Sequence, residues 1–106
     1  MTPDPTLQLF SLNIAFPLSL EEEVLDICLA VPDMPGFTVV AADGFGQGTR
    51  LHTVRETVLG RARRGFITIV ASRSICDDVI AALRSALPTP EAVYWLVAVA
   101  AFGRLA

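Results

Sequence analysis

The sequence predicts a single α+β domain of β-α-β-β-α-β order, a four-stranded antiparallel sheet with both helices on one face. Three observations predict it. The 106 residues are 53% hydrophobic and 18% charged, against roughly 45–50% and ~25% in ordinary soluble domains, so core-forming side chains are plentiful for one unit spanning 1–106. Four short stretches alternate apolar residues or run them continuously, as strands do. Two other stretches repeat apolar residues every three or four positions behind serine and acidic residues, as amphipathic helices do.

The lead, residues 1–6, holds Pro3 and Pro5 and is expected to be flexible. Residues 7–15 place Leu7, Leu9, Leu12 and Ile14 at strand spacing, and Pro17 is expected to break that strand. Ser19 with Glu22 three residues on has the pattern of a capping box, and Leu20, Val24, Ile27, Cys28 and Val31 then recur on one helical face before Pro32. Glu21, Glu22 and Glu23 fall in the first turn, where the positive end of the helix dipole favours acidic side chains. The turn cluster Pro32 to Gly36 leads into a second strand at 37–42. A glycine-rich loop begins at Asp43, and Thr53 with Glu56 suggests a short helical turn within 52–59. The third strand is expected over 61–72. Ser74 is the expected cap of the second helix, with Asp77 and Asp78 in its first turn and Ile75, Val79, Ala82, Leu83, Ala86 and Leu87 facing inward. Pro88 and Pro90 end it, and 92–101 is the last strand.

This order is the split βαβ, or ferredoxin-like, arrangement. Two helices cover only one sheet face, and a solvated second face would make the strands alternate apolar with polar. The last strand does not alternate, and Phe66, Ile67, Ile69 and Val70 point both ways from the third. Copies of the chain are the economical cover for that second face.

Composition also excludes. The longest apolar run, 92–102, is far short of the ~20 residues that cross a bilayer as a helix, so no membrane insertion is expected. The first residues lack the basic and apolar regions of a secretory signal, which points to a cytoplasmic protein. Cys28 and Cys76 form no C-x-x-C and are expected to be reduced core thiols. A net charge of −3 gives no general attraction for nucleic acid. No nucleophile-base pair or paired carboxylates can be placed together, so the chain is not expected to be an enzyme.

Gly36-Phe-Thr, the block from Thr53 to Arg64, the stretch Ala81 to Pro88, Tyr94-Trp95 and Gly103-Arg-Leu105 resemble the small bacterial DUF3240 family, which is itself similar to PII-type signalling proteins. The resemblance covers nearly the whole chain. It implies a homotrimer on the ferredoxin-like fold, a T-loop-like segment at 43–60 that senses a ligand at the cleft between subunits, and no catalysis. It also implies an association with heavy-metal efflux systems, and hence a membrane transporter as regulated partner. One departure stands out. PII proteins cradle ATP phosphates with a glycine-rich loop after the second helix, where this chain has Leu87-Pro-Thr-Pro-Glu91.

Four of the eight arginines, Arg55, Arg61, Arg63 and Arg64, lie within eleven residues, and lysine is absent. By the two-residue period of a strand, Arg61 and Arg63 point one way and Arg64 the other. Two readings stay open. They are a solvated strand start pairing with Glu56 or the acidic helix starts, or they converge with Arg50 and Arg104 at a subunit cleft to hold a small anionic effector, nucleotide included. Gly44, Gly46 and Gly48 could offer free amides to the same anion. His52 is the one histidine and the candidate ligand for a divalent metal, if symmetry brings copies together. Tyr94 and Trp95 are expected on opposite sides of the last strand, one in the core and one at a subunit contact. The leading expectation is a sensor of an anionic effector. A metal-binding accessory protein of an efflux system is the alternative, and an enzyme on a dimeric ferredoxin-like barrel is a third.

Overall fold

The structure, a computed structural model, describes residues 8–45 and 62–106. Strand β1 (Leu9–Pro17) is followed by a 3-10 turn (Leu18–Leu20) and helix α1 (Glu21–Leu29). Then come β2 (Phe37–Gly44), β3 (Ala62–Ser72), α2 (Arg73–Ala86) and β4 (Val93–Ala98). The sheet order is β2-β3-β1-β4, with each neighbouring pair antiparallel. This is the ferredoxin-like arrangement the sequence predicts.

Register decides which residues enter the core. Leu12 lies opposite Ile69 and Leu96, Ile14 opposite Ile67, and Phe16 opposite Gly65. All but the half-buried Leu96 are buried, and they meet Val24 and Cys28 of α1 and Cys76, Val79 and Ile80 of α2. Each large apolar side chain removed from water in this way contributes about 1.5–3 kcal/mol. Gly65 is required where it stands, because a Cβ there would run into the Phe16 ring.

Several boundaries differ from expectation, each for a local reason. Strand β1 runs through Pro17, which needs no donor at the strand's last pairing, with Arg64. The chain then tightens into the 3-10 turn, so Ser19 caps nothing and α1 starts at Glu21 with no side-chain cap. Its three glutamates do occupy the first turn. Helix α2 is capped by Ser72, whose Oγ accepts from the Ile75 amide at 3.4 Å, and Ser74 is already helical. That start moves Asp77 out of the first turn into an i,i+4 pair with Arg73 at 2.9 Å. The buried stripe of α2 accordingly runs through Cys76, Val79 and Ile80, while Ala86 is exposed. Strand β2 continues two residues past expectation because Asp43 and Gly44 still pair with Arg63 and Ala62. Strand β4 ends at Ala98, opposite Phe10, and beyond it the Val99 amide donates to the Leu9 carbonyl while Gln8 Nε2 donates to the Val99 carbonyl. The short helical turn expected within 52–59 lies outside the described residues.

Candidate functional site

The roots of the β2–β3 connection bring three predicted site residues together. Gly44 ends β2, and a Cβ built on it would lie 2.7 Å from Arg64 Cγ, so the arginine stem lies against bare backbone there. Arg63 and Arg64 do point to opposite faces. Arg63 is on the helix side, its Nε 3.9 Å from Asp43 Oδ1 in a partly exposed pair of the kind that adds little stability. Arg64 crosses the other face and donates from its guanidinium to the Glu91 carbonyl at 2.7 Å, tying the start of β3 to the α2–β4 connection. One guanidinium on each side of the sheet end is an arrangement that can receive anions but cannot chelate a single one within one chain.

Arg104 sits elsewhere. The chain after β4 has no regular secondary structure, and Arg104 and Phe102 border a hollow of about 740 Å³ beside Thr38, Thr68 and Val70. Val70 is six residues from Arg64 along β3, roughly 20 Å at the rise of a strand. A single chain therefore holds Arg104 and the Arg63–Arg64 pair at opposite ends of the sheet. Gly46, Gly48, Arg50, His52, Glu56 and Arg61 lie outside the described residues. Among the described residues no three His, Cys, Asp or Glu side chains are grouped to hold a metal ion. The two cysteines are buried, and burial pushes the Cys28 thiol up to about 11. Burial also raises Cys76, helped by the nearby Asp77 carboxylate and opposed by Arg73. Its nearness to a helix start does not activate it.

Among the described residues no element covers the second sheet face. Trp95 lies opposite Asn13, and Val93 and Val97 flank it. Those three side chains and Val40 are 44–51% exposed. Phe66 meets Trp95 with ring centroids 5.7 Å apart, tilted by 43°. A polar strip crosses this apolar surface and satisfies itself. The Asn13 amide nitrogen donates to the Ser11 carbonyl at 3.1 Å, and the Thr68 hydroxyl donates to the Asn13 amide oxygen at 3.3 Å. Tyr94, on the helix side, is half-exposed at the β4 edge, so it is not the core residue expected; it stacks under Arg84. Arg84 is a functional-looking side chain that no pattern in the sequence singles out, because its partner Tyr94 lies across the α2–β4 connection.

Among the described residues no helix is long and apolar enough to cross a membrane. No curated protein matches the chain. Its fold is shared with a crystal structure of a DUF3240 family protein from Shewanella baltica, at a TM-score of 0.73 and 14% identity over 92% of this chain and 97% of that one. A putative PII-like signaling protein from Thermus thermophilus is similar at 0.63 and 17% identity, covering 88% of each chain. A nitrogen regulatory PII-like protein from Thiomonas intermedia, bound to ADP, AMP and bicarbonate, is similar at 0.66 and 14% identity over 87% of this chain and 90% of that one. At such identities the likeness is one of fold. The family model described as a protein of unknown function, DUF3240, matches residues 6–106, and the chain belongs to that family.

Proposed function

We propose that this chain is a non-enzymatic, PII-like regulatory protein. It works as a homotrimer on the cytoplasmic side of a membrane transporter, and its clefts between copies bind a small anionic effector. The observation that carries the reading is the bare apolar sheet face, which calls for identical copies as cover. Packing copies over that face is also the way to bring Arg104 of one chain toward Arg64 of another, since one chain keeps them apart. Arg50, Arg61 and the glycines of the 43–60 segment would complete the anion site, and that segment would report occupancy to the transporter. The Thiomonas intermedia protein's ADP and AMP make adenine nucleotides the first effectors to try. The proline-bearing connection at 87–91 means that their phosphates would rest on arginines rather than on a glycine loop.

Calorimetric titration of the full chain with ADP, AMP and bicarbonate tests the reading. Saturable binding is expected for at least one of them, weakened about tenfold or more by Arg61→Ala with Arg63→Ala, since each charge-assisted bond is worth roughly 1.5–3 kcal/mol. Binding that the double variant leaves unchanged removes the arginine site, and no binding of any of the three removes the effector class.

A further inference from the structure

We propose that the hollow between the C-terminal half of α2 and strand β4 is a second binding site, for a small amphipathic carboxylate whose apolar body fills the hollow and whose head pairs with Arg84. The site lies on the helix side of the sheet, across from the bare face, and shares with the proposed effector cleft only the 87–91 connection, to which Arg64 bonds at Glu91.

Three features build it. The cavity measures about 290 Å³ and its walls are chiefly aliphatic, with Ile14, Ile80, Leu83, Leu87 and Ala92 among them. That volume lies at the lower edge of the ~300–1,000 Å³ that ligand pockets occupy, which limits the occupant to a short chain or one ring. The floor is preformed. Pro88 and Pro90 restrict the connection, and the Thr89 amide donates to the Leu87 carbonyl at 2.8 Å and the Glu91 amide to Thr89 Oγ1 at 3.2 Å. Rigid walls lower the ordering cost of binding.

Arg84 supplies the polarity at the mouth. Its guanidinium stands 5.3 Å from the centre of the Tyr94 ring and donates to the Tyr94 hydroxyl at 2.9 Å. Tyr94 uses one of five donors, and no carboxylate pairs with Arg84 among the described residues. Arg73, one hollow further along α2, is already neutralised by Asp77. A basic residue in the last turn complements the helix dipole. Dipole complementarity alone does not require a guanidinium stacked on a ring over an apolar hollow. A fork held in place at a greasy opening is suited to a carboxylate attached to a hydrocarbon. Neutral apolar molecules would lose the head contact, and inorganic anions would lose the body contact.

The test uses the ¹⁵N-labelled full chain titrated with sodium octanoate, with octanamide as the uncharged comparison. Octanoate is expected to shift amides within 80–94 saturably and to bind about tenfold more weakly to Arg84→Gln, while octanamide binds wild type and Arg84→Gln alike. Ala92→Phe, which fills the hollow, should abolish binding of both with the spectrum otherwise intact. Shifts confined to Phe66, Val70, Trp95 and Val97 on the opposite face overturn the site. So does an octanoate affinity indifferent to Arg84→Gln, or an absence of saturable binding at millimolar octanoate. If Ala92→Phe fails to fold, Arg84→Gln alone decides the matter.

Discussion

Alkaline behaviour in this molecule is governed by few side chains, because the sequence has no lysine, two cysteines and one tyrosine. Arginine keeps its proton throughout the accessible range. Burial moves the Cys28 thiol from its ordinary 9.0 to about 11, and Cys76 moves in the same direction. Below about pH 9 folded and unfolded chains both hold the Cys28 proton, so the thiol adds no pH dependence. Between about 9 and about 11 the unfolded chain releases that proton while the folded chain keeps it, and stability falls as pH rises. Above about 11 both states are ionised and the slope flattens. Thermal unfolding followed by circular dichroism should therefore show a melting temperature that declines across that window. Cys28→Ala should lower the melting temperature at neutral pH through the small cavity it leaves, yet make the alkaline decline shallower. An unchanged slope in the variant would assign the decline to other groups.

At the scale of elements, the start of α2 offers a direct contrast between two serines two residues apart. Ser72 ends β3 in extended geometry and its Oγ accepts from the Ile75 amide, whereas Ser74 is helical and exposed. Ser72→Ala should cost about 1 kcal/mol in denaturant unfolding, as loss of an N-cap does. Ser74→Ala should stay near neutral or stabilise slightly; equal losses would contradict the cap. This pair also shows where sequence was legible. Strand and helix identities were, because runs such as 66–71 and the stripe at Val79 and Leu83 have unambiguous periods. Ends were not, because Ser72 and Ser74 both fit a cap, and only tertiary pairing with Leu9 keeps β3 extended through Ser72. At the site, the opposed directions of Arg63 and Arg64 followed from strand alternation. The Arg84–Tyr94 stack did not, since it joins a helix to a strand across a connection and its apolar surroundings read as ordinary core.

For the whole molecule the governing question is what a sheet with one bare side does in water. The bare side is not uniformly greasy: Ser11, Asn13 and Thr68 cross its middle, and a buried polar group without a partner is costly. Here the strip bonds to itself, and Asn13 is only 9% exposed even in the single chain. Covering the face therefore hides Val40, Val93, Trp95 and Val97 while stripping little water from unsatisfied polar atoms. That combination suits the face to association of copies. Light scattering of the native chain is expected to give the mass of three copies. Trp95→Arg with Val97→Lys, which puts two charges into the contact, should reduce it to one copy with native circular dichroism retained. Leu29→Lys changes a still more exposed apolar residue on α1, away from the bare face, and should leave the mass alone. A native chain that already scatters as one copy would mean that the bare face is tolerated, and the shared cleft proposed between copies would have no walls.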